Sequence, residues 1–209
     1  MKNKMKDSGG KDPHLFLSYK SSDFDGQSDL EIFQALKNGS SVAFKYIYNK
    51  YVDFLYDYGL KFTSDSQLVE DCLHDLFLEL WSRRGLNDIR NLKAYLATCF
   101  RRKIISAEKK LLKFEKITGG KEFEIKLSDQ LMDLPETQHL DMDALKNALN
   151  NLPARQKEAL YLRFYDHLSC DDISQIMAIS RQSVYNILHK ALIKLRNKLT
   201  IILIFIISI

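Results

Sequence analysis

Apolar residues recur at helical spacing along the chain, and this pattern constrains the fold more than any other feature. In one stretch they fall on a single face of a helix: Phe44, Ile47, Tyr48, Tyr51, Leu55 and Tyr58. A strand would need alternating apolar and polar residues, which this stretch lacks. Only 8 Gly and 3 Pro occur among 209 residues, so long stretches run without a helix breaker. We therefore predict an all-α fold.

Three serines begin capping boxes, in which a Ser precedes an acid or amide by three positions. They are Ser28-Asp-Leu-Glu31, Ser64-Asp-Ser-Gln67 and Ser169-Cys-Asp-Asp172. With the apolar stripes, these helix starts predict two small helical domains joined by a flexible linker. The first, residues 28–112, reads as a bundle of about four helices. The second spans residues 141–198, and we expect only small contacts between the two.

Charge is distributed in blocks. Residues 83–113 contain ten Lys or Arg and two acids, residues 115–143 contain eight acids and three Lys, and residues 181–198 contain five basic residues and no acid. Two basic blocks on either side of an acidic one predict two surfaces that face nucleic acid. The acidic block includes Gly119-Gly120 and Pro135, so we assign residues 113–140 to a linker and residues 1–27 to a disordered leader.

The second domain contains a short helix, a tight turn and a longer basic helix, which together predict a helix-turn-helix. The exposed start of the longer helix carries side chains suited to base edges in the major groove: Arg181, Gln182, Ser183, Tyr185 and Asn186. His189, Lys190 and Lys194 continue one flank and could contact phosphates. This pattern predicts DNA binding.

Two stretches resemble the bacterial RNA polymerase sigma factors of the extracytoplasmic-function (ECF) type. Residues 149–199, with landmarks Leu152-Pro153, Leu168-Ser169 and Ile179-Ser180, resemble the C-terminal domain of that family, which reads the minus-35 promoter element. Residues 43–84, above all DCLHDLFLELW, resemble its N-terminal domain. DIRNLKAYLATCFRRKI resembles the segment that melts and reads the minus-10 element.

The resemblance implies roles for individual residues. The polymerase-docking motif of the family matches Asp71, Asp75, Phe77, Leu80 and Trp81. Groups for holding the melted minus-10 strand are supplied by Arg90, Lys93, Tyr95, Arg101, Arg102 and Lys103. The family commonly has Trp, Asn and Asp where this chain has Tyr95, Arg102 and Ser106, so the base preference at minus-10 stays open.

The resemblance further implies a non-catalytic transcription initiator without a cofactor, metal or small-molecule substrate. Its implied partners are core RNA polymerase, promoter DNA and a membrane-bound anti-sigma factor. Cys72, Cys99 and Cys170 are far apart and form no CxxC pair, and the polar start lacks a signal peptide. Both features predict reduced thiols and a cytoplasmic protein.

Two other functions are compatible with parts of the sequence. The first is a metal enzyme, since Asp71, His74, Asp75 and Glu79 share one helix face, although no other histidine lies in a comparable cluster. The second is a helix-turn-helix regulator that acts without polymerase, which would have no reason to carry the docking helix.

The tail 199–209 is almost wholly apolar. As a helix it would reach only ~16 Å, too short for a bilayer core of ~30 Å. Three fates are open for it: packing on the C-terminal domain, covering a groove on the N-terminal domain, or binding an inhibitor. We expect packing within the protein.

Overall fold

All secondary structure in the described part of the chain is helical. The structure is a computed structural model that describes residues 24, 26–82, 89, 91–114, 123–124 and 142–207. Within these residues no strand forms, so the predicted all-α class is confirmed. They form eight α-helices: α1 Asp29–Lys37, α2 Ser41–Gly59, α3 Ser66–Ser82, α4 Leu92–Phe114, α5 Met142–Asn150, α6 Ala154–Leu160, α7 Cys170–Met177 and α8 Arg181–Ile207. A π-helical turn, Tyr161–Tyr165, continues α6.

Two of the three predicted capping boxes form. The Ser28 side chain accepts a hydrogen bond from the Glu31 backbone, and the Glu31 carboxylate accepts one from the Ser28 backbone. Ser169 and Asp172 cap α7 in the same reciprocal way. The predicted box at Ser64 is wrong, because α3 begins at Ser66 and the Asp65 carboxylate accepts from the Leu68 backbone N–H. A carboxylate next to the serine is an equally good cap one position later.

The helices α1 to α4 form an N-terminal bundle around fully buried side chains such as Phe33, Leu55 and Phe100. Gly59, at the end of α2, lies where α2 meets α3 and α4. A Cβ at Gly59 would lie 2.8 Å from Val69 Cγ1 and 2.9 Å from the Phe100 ring, so only glycine permits this approach. The bundle corresponds to the first predicted domain.

The helices α5 to α8 form the C-terminal half, in which α8 packs against α5, α6 and α7. The helix-turn-helix consists of α7, α8 and the turn 178–180. Its predicted inward residues Ile173, Ile176 and Val184 are buried. Ala178 closes α7 in the left-handed conformation, with φ 53° and ψ 49°.

One continuous apolar core joins the two halves, so the expectation of small contacts between them is wrong. Helix α4 packs along α7. Tyr58 of the N-terminal bundle and Tyr161 of the C-terminal half stack with ring centroids 6.2 Å apart. Phe123, from the acidic block, lies 6.1 Å from the Tyr58 ring and 5.9 Å from the Tyr161 ring. Its neighbour Glu124 donates its backbone N–H to the Lys61 carbonyl at 3.0 Å. Aromatic side chains from three segments thus form the centre of the interface.

Some sequence predictions lie outside the described residues. They concern most of the leader, most of the linker and the side chains of the tail, so those predictions stay untested. The end of the leader is described, and the Phe24 ring lies 5.6 Å from the Tyr46 ring of α2, so the predicted disorder up to residue 27 is wrong at this point. The backbone of α8 continues into the tail as far as Ile207. Among the residues that the structure describes, no helix has the length and apolar character needed to cross a membrane.

Candidate nucleic-acid interface

The first two turns of α8 present polar side chains to solvent. Arg181, Gln182, Tyr185 and Asn186 are all exposed. The Gln182 amide donates to the Asn186 side-chain oxygen at 3.2 Å. The two amides are one turn apart on the helix, and each could pair with the edge of an adenine. His189, Lys190 and Lys194 are exposed on the following turns.

Arg181 is held in place on this surface by two partners. Its Nη2 donates to the Tyr185 hydroxyl at 3.2 Å, and its Nε lies 3.3 Å from the Asp171 carboxylate of α7. These contacts raise the pKa of Arg181, chiefly through the hydrogen bond to Tyr185 and then through the charge of Asp171. The guanidinium is therefore charged and exposed at the start of the recognition helix, although these two contacts hold it in place.

Ser183, predicted to face DNA, serves the helix end instead. Its backbone N–H donates to the Ser180 hydroxyl at 3.1 Å, and the two serine hydroxyls lie 2.8 Å apart. The Ser183 side chain is half-buried. A cap of this kind explains the position of both serines without any contact to DNA.

The predicted minus-10 residues do not form a single accessible face. Lys93 donates to the main-chain carbonyl of Asp166 at 2.9 Å, and Arg101 contacts the Glu158 carboxylate, so both face the C-terminal half. Lys103 contacts Glu79 of α3. The half-buried Tyr95 ring lies 6.2 Å from Phe33, and Arg90 lies outside the described residues.

A basic stripe that the sequence reasoning missed lies along the exposed face of α4. Lys109 lies seven residues after Arg102, and Lys113 lies four residues after Lys109 and three after Lys110. The stripe consists of Arg102, Lys109, Lys110 and Lys113. Only Arg102 was named from the sequence. Helical spacing from Arg102 could have identified the others, since the same basic block contains all four.

Glu158 lies buried in the interface between the halves, beside the aromatic cluster. Although its side chain is only 3% exposed, it accepts hydrogen bonds from the Tyr58 hydroxyl at 2.7 Å, from Arg101 Nε at 2.5 Å and from Arg101 Nη2 at 3.0 Å. Burial and the charge of Glu158 raise the pKa of Tyr58 well above its usual range. Burial is the largest single influence on the pKa of Arg101 and lowers it, but the hydrogen bond to Glu158, the charge of Glu158 and the Tyr58 hydroxyl together outweigh burial and leave the pKa raised. We call Tyr58, Arg101 and Glu158 the Glu158 clasp.

The polar face of α3 points to solvent. Asp71, His74 and Asp75 are exposed along one stripe, and Trp81 extends it with 39% of its surface accessible. The Trp81 ring packs edge-on against Phe44 of α2, with centroids 5.3 Å apart. Two predicted docking residues, Phe77 and Leu80, are buried in the bundle at 3% and 4% exposure and cannot contact a partner directly.

Comparisons with known proteins bear on this arrangement. Residues 47–111 match the Sigma-70 region 2 family, and residues 142–195 match the Sigma-70, region 4 family. The ECF RNA polymerase sigma factor SigM of Bacillus subtilis (strain 168) is 26% identical over 145 residues, which cover 69% of this chain and 88% of SigM. The chain belongs to the extracytoplasmic-function sigma factors. As such, it binds core RNA polymerase and directs promoter recognition and transcription initiation.

Two further relatives share parts of this sigma factor. The RNA polymerase sigma-F factor of Bacillus licheniformis is 32% identical over 75 residues, which cover 36% of this chain and 29% of that protein. The co-crystal structure of the sigma factor RpoE with the anti-sigma factor NepR from Bartonella quintana has a TM-score of 0.54 at 22% identity. That match covers 75% of this chain and 96% of RpoE, and it shows the same fold.

The exposed face of α3 in this sigma factor also includes a residue that was not predicted. Leu78 is 52% exposed between Asp75 and Trp81. Helical spacing could have found it, because Asp71, Asp75, Leu78 and Ser82 are separated by three or four positions. The Glu79 carboxylate, one of the four groups that the metal-enzyme alternative would use, contacts Lys103. In the described part of the chain no three His, Cys, Asp or Glu residues lie close enough to hold a metal ion.

Proposed function

We propose that this sigma factor docks on core RNA polymerase through the exposed stripe of α3. The docking surface consists of Asp71, Asp75, Leu78 and Trp81. Phe77 and Leu80 support it from within, because Phe77 packs on Tyr48 and Phe44 of α2 with ring centroids 4.7 Å and 6.2 Å apart. An exposed Leu and Trp beside two carboxylates supply an apolar centre with a charged rim, which is typical of a protein interface.

The same proposal assigns the two promoter elements to separate surfaces. The start of α8, through Arg181, Gln182 and Asn186, reads bases of the minus-35 element, while Lys190 and Lys194 contact phosphates. Helix α4 and its basic stripe hold the melted minus-10 strand. The observation that carries this assignment is the exposed, acid-free start of α8 on a buried helix-turn-helix core.

An anti-sigma factor is the third proposed partner. The solved relative RpoE was crystallised with the anti-sigma factor NepR, and this chain has the same fold. We propose that an anti-sigma factor regulates this chain by competing with polymerase for the docking surface. The family resemblance implies that this anti-sigma factor is bound to a membrane. No cofactor or small-molecule substrate enters the proposal.

Charge reversal on α3 tests the docking surface. Asp75→Lys is expected to weaken binding to purified core polymerase by at least about tenfold, because it places a cation where the proposed interface needs an anion. Asp53→Lys is the matched control, since Asp53 is also exposed but lies on α2. Gel filtration of each variant with core polymerase measures assembly, and circular dichroism checks that helix content is retained. Equal binding by Asp75→Lys and wild type would contradict the assigned surface.

A further inference from the structure

The interface between the two halves is polar at the point where it meets α4. Arg101 offers Nε and Nη2 to the two oxygens of Glu158, and the Tyr58 hydroxyl donates to the same carboxylate. A buried carboxylate needs such partners, because an unpaired charge in an apolar interface is very costly. The Glu158 clasp therefore forms as a unit when the halves come together.

A second contact engages another cation of α4. Lys93 Nζ donates to the Asp166 main-chain carbonyl at 2.9 Å and lies 3.5 Å from the Asp166 carboxylate. The same ammonium lies 4.3 Å from the centre of the Phe54 ring. Two of the cations assigned to the minus-10 strand are thus occupied by oxygens of the C-terminal half, whereas Arg102 on the same helix is exposed.

We propose that the Glu158 carboxylate is an intramolecular substitute for a DNA phosphate, which keeps Arg101 unavailable to the promoter strand until the halves separate. A guanidinium binds a carboxylate and a phosphate with the same two-pronged geometry, so one excludes the other. The inference rests on the proposed role of α4 in DNA binding. It adds that the free sigma factor is closed by its own C-terminal half, through a clasp that competes directly with DNA.

The chemistry of the clasp suits a reversible contact. A buried ion pair adds little net stability over the separated, hydrated ions, since desolvation offsets most of the attraction. Apolar packing around Phe123, which is 4% exposed between Tyr58, Phe62 and Tyr161, supplies much of the remaining cohesion. Removal of the Glu158 charge leaves the Arg101 guanidinium without its partner in the closed state and favours opening.

The test measures DNA binding by the full chain without polymerase. The probe is a fluorescent oligodeoxythymidine at low salt, read by anisotropy, and small-angle X-ray scattering follows the radius of gyration. Glu158→Gln is expected to bind the probe about tenfold more tightly than wild type and to expand, because the population able to bind rises. Tyr58→Phe removes one hydrogen bond without changing charge, and a smaller gain is expected. Circular dichroism checks that each variant is folded. If Glu158→Gln has lost helix content, the result with Tyr58→Phe alone tests the proposal.

Two controls separate the clasp from a general charge effect. Glu70→Gln removes the same charge from an exposed position on α3 and is expected to change affinity by less than about twofold. The double variant Glu158→Gln/Arg101→Ala is expected to lose the gain, since the released guanidinium is the group that binds. A gain that persists without Arg101, or unchanged affinity in both Glu158→Gln and Tyr58→Phe, would overturn the proposal. This assay contains no polymerase, so a negative result bears on the Glu158 clasp and not on polymerase docking. The Asp75→Lys experiment tests polymerase docking separately.

Discussion

At the scale of single residues, the turn of the helix-turn-helix stores strain at Ala178. Its φ of 53° lies in the left-handed region, where a Cβ costs roughly 1–2 kcal/mol. Glycine adopts this conformation without the steric cost of a Cβ. The left-handed conformation of Ala178 lets the Ala178 and Ile179 backbone N–H groups donate to the Gln175 and Ser174 carbonyls at the end of α7.

Ala178→Gly is therefore expected to stabilise the protein, by up to about 1 kcal/mol, since relief of the strain exceeds the entropy that glycine adds to the unfolded chain. Ala107→Gly, within α4, is the matched control and is expected to destabilise by about 1 kcal/mol. Urea unfolding of both variants measures the difference. The account of the turn would be wrong if the two substitutions lowered stability equally.

Asp166 is the residue that couples the interface to pH. Burial raises the pKa of its carboxyl to about 6, although the charges of Lys93 and Lys61 oppose the rise and that of Asp57 adds to it. The Asp166 Oδ2 atom is buried without a hydrogen-bond partner, which agrees with a raised pKa because a buried, unpaired carboxylate oxygen disfavours the charged form. Because the pKa is raised on folding, Asp166 contributes stability that is fully present below about pH 4 and is lost as pH rises through about 6.

Asp166→Asn tests this coupling. Wild type is expected to gain stability from Asp166 as pH falls from about 7 to about 5, by on the order of 1–2 kcal/mol, and the variant lacks that gain because its side chain does not titrate. The measurement is the urea midpoint at both pH values, with Glu70→Gln as a control for loss of an exposed carboxylate. An identical pH dependence in wild type and Asp166→Asn would show that the carboxyl does not titrate differently on folding.

At the scale of helices, periodicity and caps located most elements well. The boxes at Ser28 and Ser169 fixed the starts of α1 and α7 because a single good cap precedes each helix. At α3, Ser64 and Asp65 are both competent caps, and sequence pattern alone does not rank two neighbours.

The faces of α3 were harder to predict than its bounds. Its apolar residues cover more than half of the helix circumference, so the pattern does not say which of them reach solvent. Phe77 is buried because Phe44 and Tyr48 of α2 cover it, whereas Leu78 has no such cover and is half exposed. Which neighbour covers which side chain is a tertiary property that the helical pattern of one segment does not reveal.

At the scale of the whole molecule, the contact between the two halves was not foreseeable from the sequence. Composition separates residues 28–112 from 141–198, yet no local pattern pairs Tyr58 with Glu158, which is 100 positions away. From sequence alone, a Glu on a short helix is expected to be exposed, because Glu is seldom buried without partners. Helical spacing within one segment does not show that the Arg101 guanidinium and the Tyr58 hydroxyl of the N-terminal bundle pair with it. For the same reason Lys93 and Arg101 were expected to be open to DNA, and in this structure both are engaged by the C-terminal half.

The central claim is that α8 directs polymerase to a specific promoter sequence. Run-off transcription by purified core polymerase tests it most directly, on promoters selected from a random library by the wild-type holoenzyme, each with an intact or altered minus-35 element. We expect Arg181→Ala to lose about 1–3 kcal/mol of the preference for the intact over the altered minus-35 element, because the variant lacks one base contact. Lys194→Ala is the matched control and is expected to reduce both transcripts alike, with a weaker salt dependence. No promoter-specific transcript with wild type, or equal losses on both promoters for Arg181→Ala, would contradict the account.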